Sequence, residues 1–311
     1  MTASPQSPSS PRSSGGSRSP DQPSAVVVGG VAWNHLVELP TLPTDLTTLH
    51  ATAHRNGIGG TGAGKALHLA RLGIPTRLHA LVGQDEAGGH VREVLAEAGV
   101  DLAAWDDPQG TEQHLNLMDP HGDRVSIFLE HSSPDPDVTA EELFELCRDA
   151  HLVFVSLTHY ARRVLPLLAD AGIQVWVDLH DWDGGDSDFH DPFVDGGDFF
   201  FVSDVRLPEP AVTAARLAET KELVVVTHGK RGATAFFPDR EPLFISPYDA
   251  GPSVDSNGAG DAFSVGVAYG YVHGWDWPRA LKAGAVVAGG CVASPELADP
   301  GLTPEWLAAR L

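Results

Sequence analysis

The sequence predicts an α/β fold, in which a mostly parallel sheet carries helices on both faces and a small β lid covers one edge. Short, continuous apolar runs alternate with helical segments along most of the chain. Such runs are typical of parallel strands that are buried on both faces. Two β segments, at about 32–54 and 111–130, do not follow this alternation. We expect these two segments to lie together as a small antiparallel sheet, the lid.

The first strand is expected at 25–30, in an apolar run that two glycines end. Further strands are expected at 77–82, 152–156, 174–178, 199–202, 223–227 and 234–237, and helices at 63–72, 86–98, 161–171, 259–274, 277–291 and 304–311. Residues 112–118 and 124–129 flank Pro120-His121-Gly122-Asp123, which predicts a hairpin. Because Ser, Pro and Gly dominate residues 1–24, we expect a disordered tail there and one domain over 25–311.

Composition narrows the possible partners. The formal net charge of −22 argues against nucleic acid or an anionic membrane, since both reward clusters of Lys and Arg. The two cysteines, Cys147 and Cys291, both fall in helical segments, which favours a reducing compartment over a disulfide framework. No apolar run reaches the roughly 18 residues of a membrane helix, and the opening residues lack the apolar centre of a secretory signal. A cytoplasmic protein is the expectation.

The strongest chemical signal is the segment Val254-Asp255-Ser256-Asn257-Gly258-Ala259-Gly260-Asp261-Ala262-Phe263, a glycine-rich turn that leads into a helix. Free amides at a helix N-terminus, which glycines leave open to close approach, bind anions such as phosphate. Asp261 lies in the first turn of that helix. A carboxylate repels phosphate as a ligand, but it can act as a general base for a hydroxyl that attacks phosphate. The segment therefore predicts phosphoryl transfer to an alcohol.

A second glycine cluster, Gly57-Ile58-Gly59-Gly60-Thr61-Gly62-Ala63-Gly64-Lys65-Ala66, fits two familiar patterns in part. The dinucleotide fingerprint lacks a clear buried strand before it and an acidic residue about 20 positions after it. The phosphate loop has Ala66 where Ser or Thr should ligate Mg²⁺. The remaining interpretation from the residues alone is a tight loop that packs a helix close to the sheet.

Three segments together resemble the ribokinase-like (PfkB) carbohydrate kinases. They occur in the family's order and cover about residues 25–293. The matching runs are Gly59-Gly60-Thr61-Gly62-Ala63-Gly64 with Ala70-Arg71-Leu72-Gly73 and Leu81-Val82-Gly83-Gln84-Asp85-Glu86-Ala87-Gly88, then Val226-Thr227-His228-Gly229-Lys230-Arg231-Gly232-Ala233, and finally Asp255-Ser256-Asn257-Gly258-Ala259-Gly260-Asp261-Ala262-Phe263. The resemblance implies a three-layer α/β/α fold with a small β lid.

The resemblance also implies roles for single residues. Asp261 would be the catalytic base, and the amides of Gly258, Ala259 and Gly260 would form the anion hole for the transferring phosphoryl group. ATP would be bound at Ser203, Thr227, Gly229, Gly232 and Asn257, and the acceptor at Asn34, Gly59, Gly60 and Gly64. Asp255 would help to hold a monovalent cation such as K⁺.

Three positions depart from the family's pattern. Asn34 stands where many members have Asp, and Gly64 stands where the N-terminal motif usually has Asn. The motif N-x-x-E, whose Glu helps to organise the water shell of Mg²⁺, reads Ser203-Asp204-Val205-Arg206. Arg206 replaces that Glu, so Asp204 is the remaining candidate for an Mg²⁺-associated residue.

The segment 178–191 is dense in Asp and His. Its spacing does not meet the register of a calcium loop, and no Glu closes it, so a solvated acidic loop is the preferred interpretation. Because the loop follows the strand at 174–178, we expect Asp178 or His180 to touch the ligand site in the cleft at the carboxyl edge of the sheet.

The function implied is an ATP-dependent kinase that phosphorylates a hydroxymethyl group of a small sugar or sugar-like alcohol, with Mg²⁺ and K⁺ as cofactors. A homodimer through the lid is expected, with neither nucleic acid nor membrane as a partner. Two alternatives stay open: a nucleoside kinase of the same fold, and a non-catalytic sugar or nucleotide sensor.

Overall fold

The computed structural model describes residues 22–45, 48–120 and 124–311. Most of the tail expected at 1–24 lies outside these residues, as does the tip of the hairpin expected around residues 120–123. The strands are β1 Ala25–Val28, β2 Ala32–Glu38, β3 Ala53–Gly59, β4 Thr76–Val82, β5 Asp101–Asp106, β6 Gln113–Met118, β7 Arg124–Glu130, β8 Leu152–Val155, β9 Val175–Asp178, β10 Phe199–Ser203, β11 Leu223–Thr227, β12 Ala233–Phe236 and β13 Leu243–Ile245.

The strands form two sheets within the described part of the chain. The main sheet has the order β13-β12-β11-β10-β9-β8-β1-β4-β5, and it is parallel except for the antiparallel pairs that β12 makes with β11 and β13. The second sheet, which is the lid, has the order β3-β2-β6-β7. Both β segments that break the α/β alternation of the sequence supply this sheet, as expected. The sheet is mixed rather than wholly antiparallel: β2–β3 and β6–β7 pair antiparallel, but β2 and β6 pair in parallel, since the chain passes through β4 and β5 of the main sheet between them.

Helices cover both faces of the main sheet. They are α1 Thr61–Arg71, α2 Glu86–Glu97, α3 Ala140–Cys147, α4 Leu165–Asp170, α5 Asp191–Gly196, α6 Pro210–Ala218, α7 Ala259–Val272, α8 Trp277–Val292 and α9 Pro304–Ala308. Alternate strand side chains enter two separate apolar clusters. Val27 and Phe154 pack in the cluster that contains α1, α7 and α8, whereas Val28 and Val153 pack in the cluster that contains α3 and α4. The expected three-layer fold is confirmed.

Several elements escaped sequence reasoning because their apolar pattern is weak. β5 is an edge strand whose residues are exposed or only partly buried, so it lacks the continuous apolar run of its neighbours. α3 is the helical segment expected around Cys147, and its start could have been predicted from a capping box in which Thr139 and Glu142 bond each other's backbone amides. The expected helix at 161–171 is a 3₁₀ turn, Ala161–Val164, that leads into α4.

The glycine cluster at 57–64 is preceded by a strand, contrary to expectation. β3 runs through Gly59, but it is antiparallel to β2 in the lid, and only its last two residues are buried. This exposure explains why 51–56 is too polar to resemble a core strand. Because a dinucleotide site needs a parallel βαβ unit, the geometry agrees with setting that fingerprint aside.

The carboxyl ends of three neighbouring strands bring predicted site residues to one edge. β9 ends at Asp178, β10 at Ser203 and β11 at Thr227. Phe201 pairs with Asp178, and Ser203 pairs with Thr227, so the three strand ends lie side by side. This is the edge at which open α/β sheets bind ligands.

None of the helices in the described ranges is long and apolar enough to cross a bilayer.

Two buried histidines make a prediction about acid stability. Burial lowers the pKa of His68 and that of His79 from 6.5 to about 4. Each is therefore neutral in the fold and protonates first in the unfolded chain, so its stabilising effect is complete above pH 6.5 and is lost as pH falls towards 4. We expect the free energy of unfolding to fall by about 2 kcal/mol per histidine between pH 7 and pH 5.

Urea unfolding of His68→Gln at the two pH values checks this. The variant should lose about 2 kcal/mol less than the wild type between pH 7 and pH 5. His50→Gln, at an exposed position, serves as the control. Equal losses in the wild type and His68→Gln would contradict the prediction.

Candidate active site

Asp261 lies at the cleft end of α7 and is only 6% exposed. It is in the first turn of the helix, whose N-cap, Gly258, has a φ of 78° that favours glycine. A Cβ at Gly258 would also meet the Leu297 side chain at 2.9 Å. The turn Asn257–Gly260 can therefore be this tight only with glycine at position 258.

The start of α7 presents free amides. Within the described part of the chain, the amides of Gly258, Gly260 and Asp261 donate to no protein acceptor, and that of Ala259 makes only a long hydrogen bond of 3.4 Å to Ser256. Gly260 is exposed. These amides and the positive end of the helix dipole form a site suited to an anion, next to the Asp261 carboxylate.

Lys65 is the partner of Asp261 that sequence reasoning did not assign to the site. It projects from α1, is 1% exposed, and donates from Nζ to Oδ1 of Asp261. Its Nζ also lies 3.6 Å from Oδ2 of Asp178, at the end of β9. Lys65 directly follows Gly64, a predicted acceptor residue, and this position in the N-terminal motif is the one feature of the sequence that could have indicated its place in the site.

The three charges perturb one another's pKa values. Burial lowers the pKa of Lys65, but the carboxylates of Asp261 and Asp178 outweigh burial and raise it. Burial raises the pKa of Asp261, an effect that Lys65 opposes and Asp178 reinforces. Burial would raise the pKa of Asp178 too, but His180 and Lys65 lower it. The result is a charged lysine beside one carboxylate, Asp261, whose affinity for a proton is increased.

Asp178 therefore reaches the cleft, as the sequence allowed. Its Oδ1 accepts from the amide of His180 at 2.9 Å, and its Oδ2 would lie 3.6 Å from a Cβ at Gly260. His180 has a positive φ of 52°, and its carbonyl accepts from the amide of Ser203. Asp181 and Asp183 of the acidic loop are exposed and each lie 3.7 Å from Arg206, whereas Leu179 and Trp182 of the same loop are buried in the apolar core.

The four predicted acceptor residues cluster where β3 meets α1. Asn34 lies on β2 and is 2% exposed. Its side-chain amide packs so closely on Gly59 that a Cβ added to Gly59 would overlap that amide. Gly60 has a φ of 90°, and a Cβ on it would meet the Gly30 carbonyl at 2.7 Å. Oδ1 of Asn34 has no hydrogen-bond partner among the described residues. A buried acceptor of this kind is suited to a hydroxyl donor from a ligand.

Gly64 lies against the carboxylate of Asp261, the predicted base. A Cβ at this position would meet Oδ2 of Asp261 at 2.7 Å. The departure from the family's Asn therefore leaves room for the carboxylate, which Lys65 holds from its other oxygen.

The predicted ATP residues line the edge beside α7. Thr227 and Ser203 end neighbouring strands, and Gly229 and Gly232 bound a short 3₁₀ turn after β11. Gly232 has a φ of 100°, and a Cβ there would overlap the Ile245 carbonyl. Asn257 precedes the anion-binding turn, where the thiol of Cys291 donates to its carbonyl over 3.3 Å.

Two predicted cation-associated carboxylates already have protein partners. Asp204 accepts from His228 Nδ1 at 2.8 Å and from Arg231. Asp255 accepts from Arg55 at 3.1 Å and from the amide of Asn257 at 2.8 Å. Their roles in binding Mg²⁺ and a monovalent cation stay predictions.

No group of three or more His, Cys, Asp or Glu side chains in the described ranges could hold a metal ion. Mg²⁺ in kinases is held largely by substrate phosphates and water, with one or two carboxylates, so the site needs no such cage. The free amides of α7 suit the phosphate groups that would carry Mg²⁺, because N–H donors bind anions rather than cations.

Two arginines of the lid reach the C-terminal motif. Arg55 on β3 pairs with Asp255, and Arg124 on β7 donates to Oδ1 of Asn257. Burial lowers the pKa of Arg124, against the attraction of Asp255 and Asp261. The lid is thus tied to the turn that carries the free amides.

Comparison with known proteins decides the family. Residues 23–171 and 201–303 match the sequence profile described as pfkB family carbohydrate kinase. The chain belongs to the pfkB family of carbohydrate kinases. It is therefore a phosphotransferase that uses an alcohol group as acceptor, and the resemblance found in its motifs is confirmed.

Individual proteins similar to this chain are also kinases of small molecules by name. Acarbose 7(IV)-phosphotransferase of Actinoplanes sp. is 30% identical over 268 residues, which cover 84% of this chain and 89% of the relative. Ribokinase of Arabidopsis thaliana is 24% identical over 291 residues, which cover 87% of this chain and 76% of the relative.

Solved structures show the same fold. The microbiome-derived acarbose kinase Mak1 matches with a TM-score of 0.83 and 30% identity, over 93% of this chain and 99% of that one. The Arabidopsis thaliana ribokinase complexed with ribose and ATP matches with a TM-score of 0.77 and 22% identity, over 93% and 98%.

The contact between Gly64 and Asp261 predicts a large effect from one methyl group. In Gly64→Ala, the new Cβ must displace Asp261, because it would lie 2.7 Å from Oδ2. Since a misplacement of about 1 Å at a reacting group can cost about 100-fold in rate, we expect kcat to fall about 100-fold.

Gly89→Ala is the matched control, because a Cβ at this position on α2 meets nothing within 4 Å. This variant should keep wild-type kcat and gain about 0.5–1 kcal/mol of stability. Steady-state kinetics and urea unfolding measure both effects, and wild-type kcat in Gly64→Ala would refute the prediction.

Proposed function

We propose that this protein transfers the γ-phosphoryl group of ATP to a hydroxymethyl group of a sugar or sugar-like alcohol. One observation carries the proposal: the Asp261 carboxylate stands beside the unpaired amides of Gly258 and Gly260. A base and an anion site at the same point are what attack by a hydroxyl on a phosphoryl group requires.

In the proposed reaction, Asp261 takes the proton of the acceptor hydroxyl as its oxygen attacks the γ-phosphorus. The bond from that phosphorus to the β–γ bridging oxygen breaks, and ADP leaves. The amides of Gly258, Ala259 and Gly260 stabilise the charge on the transferring group. Ser203, Thr227, Gly229, Gly232 and Asn257 would bind the nucleotide.

Cations complete the proposal. Mg²⁺ would arrive on the β- and γ-phosphates and neutralise their charge. Asp204 would contribute to its water shell, and Asp255 to a K⁺ site, once ligands change the present contacts of these side chains. Arg55 and Arg124 would hold the lid down over the nucleotide turn and exclude water, a competing acceptor.

The acceptor would bind between the lid and α1. Its hydroxyls would donate to the unpartnered Oδ1 of Asn34 and approach the glycine surfaces at Gly59, Gly60 and Gly64. The two 30%-identical relatives named above both carry acarbose in their names. Acarbose-like oligosaccharides are therefore a second candidate acceptor class beside simple sugars.

Nucleosides are a less favoured acceptor class. Recognition of a base needs a free aromatic face in the lid, and Trp33 already stacks on His90 with 4.9 Å between ring centroids. Phe128 has His114 and His131 as ring neighbours, at 4.1 and 5.3 Å, but it exposes 52% of its surface and keeps area that a base could contact. A sensor without activity would not require the buried base beside free amides.

An ADP-release screen tests the proposal. The panel contains pentoses, hexoses, keto-sugar acids, acarbose, adenosine, inosine and cytidine, each with ATP and Mg²⁺. Turnover of a sugar or of acarbose supports the proposal, whereas turnover of nucleosides alone would replace it with a nucleoside kinase. Ligand binding by calorimetry without any turnover would indicate a sensor.

Asp261→Asn should lower kcat about 10²–10⁴-fold, because the amide cannot accept the proton. ATP affinity, measured by calorimetry, should change little. Asp276→Asn is the matched control, since Asp276 caps α8 and Asn caps helices equally well. A kcat in Asp261→Asn within a few-fold of the wild type would exclude Asp261 as the base.

We further propose that the chain forms a homodimer through the lid. β7 is an edge strand, and Val125, Ile127 and Leu129 expose 43–47% of their surface on one of its faces. An exposed apolar edge of this kind favours pairing with another strand.

Light scattering after gel filtration tests the dimer. Ile127→Lys should shift the mass from dimer to monomer, because it would place charge on the paired face. Val212→Lys replaces an apolar residue on α6 that is 64% exposed, against 43% for Ile127, and should leave the mass unchanged. A wild-type monomer at micromolar concentration would refute the proposal.

A further inference from the structure

Lys65 is buried in a way that demands an explanation. Lysine is almost never fully buried unless it is paired, because removing its charge from water is costly. Here the side chain is 2% exposed, and its Nζ contacts two carboxylates, on α7 and at the end of β9. Both carboxylates face the cleft in which the reaction is proposed to occur.

The lysine divides the two oxygens of Asp261 into different environments. Oδ1 accepts from Lys65, whereas Oδ2 accepts no hydrogen bond from any described residue and faces Gly64. When one oxygen of a carboxylate is held by a hydrogen bond, the orientation of the group is fixed, and so is the direction of its other oxygen. The free Oδ2 is the atom that can receive a proton.

We propose that Lys65 is the positioning residue of the base: it holds Oδ1 of Asp261 so that Oδ2 faces the acceptor hydroxyl, and it keeps the carboxylate ionised until the proton moves. This inference rests on the proposed function. It adds a residue outside the anion hole, the base and the acceptor contacts already assigned.

The charge balance supports this role. Before transfer, one ammonium faces two carboxylates, and after transfer Asp261 is neutral while Lys65 still faces Asp178 at 3.6 Å. Asp178 thus leaves the lysine paired in both states, which avoids an isolated buried charge. The lysine itself donates no proton in the step.

Other charged groups also act on Asp261. His180, after β9, favours its ionised form, and Asp178 opposes it. Arg124 of the lid is attracted electrostatically to Asp255 and Asp261. The thiol of Cys291 on α8 is also near these two carboxylates, and burial, reinforced by their charge, raises its pKa to about 12. Among the described residues, Lys65 alone donates a side-chain hydrogen bond to the Asp261 carboxylate, so its replacement removes that contact and leaves the other charges in place.

Lys65→Met tests the role through the pH dependence of kcat/KM. Asp261 must be ionised to act, so activity is lost as pH falls through its pKa. Without the nearby ammonium that pKa should rise, and the acid limb should move up by about 1–3 pH units. A kcat at least about 10-fold lower is expected at pH 7, since both ionisation and orientation suffer.

Lys221→Met is the matched control. Lys221 is half-buried beside Phe200, and its Nζ donates to the carbonyls of Asp195 and Gly197, away from the cleft. This variant should retain the wild-type acid limb. If Lys65→Met does not fold, Lys65→Met/Asp178→Asn removes one charge of each sign, and its profile is compared with that of Asp178→Asn.

A second measurement needs no turnover. Aspartate labelled with ¹³C at the carboxyl carbon reports the titration of Asp261 by NMR, with Asp261→Asn assigning the signal. The apparent pKa of this signal should rise in Lys65→Met and stay unchanged in Lys221→Met. An unchanged titration and acid limb in a folded Lys65 variant would overturn the inference. Absence of any acceptor would defeat the proposed function alone, because the NMR titration still decides the role of Lys65.

Discussion

The arrangement of this site depends on burying three charged side chains together at the junction of α1, β9 and α7. Asp261, Lys65 and Asp178 are each nearly excluded from water, and none would be tolerated there without the others. The cluster needs a close approach of α1 to α7, which Gly64 allows because a Cβ would reach Asp261. Anchoring the base in this way fixes its direction before any substrate arrives.

The turn at the start of α7 links this cluster to the rest of the cleft. Cys291 of α8 supports it from behind through the Asn257 carbonyl, and the lid reaches it through Arg55 and Arg124. The same short turn is therefore contacted by α8 and by two strands of the lid. Movement of the lid would displace the turn at the start of α7 directly, since Arg55 and Arg124 contact Asp255 and Asn257, the residues on either side of Ser256.

This chain keeps the family's motif residues in some parts of the site and departs from them in others. The glycines that shape the nucleotide edge and the α7 turn are present, and their backbone angles require them. The departures at Asn34 and Gly64 lie on the acceptor side, and Lys65 fills the space next to them. The 30% identity to the Actinoplanes phosphotransferase and to Mak1, and the TM-score of 0.83 to Mak1, agree with a shared architecture. Arg206, in contrast, points to the acidic loop after β9.

The sequence alone determined the layered fold, the lid segments and the family, because continuous apolar strands and glycine-rich turns are local patterns that survive without coordinates. It also located Asp261 and its turn, since that motif lies within ten consecutive residues. It could not reveal Lys65 as a partner of Asp261, because the two are 196 positions apart and meet only when α1 packs on α7. The contacts of Arg55 and Arg124 were equally hidden, since polar lid strands do not indicate which turn they will cover. Pairings between distant charges are decided by tertiary packing, where burial makes each unpaired charge too costly to keep.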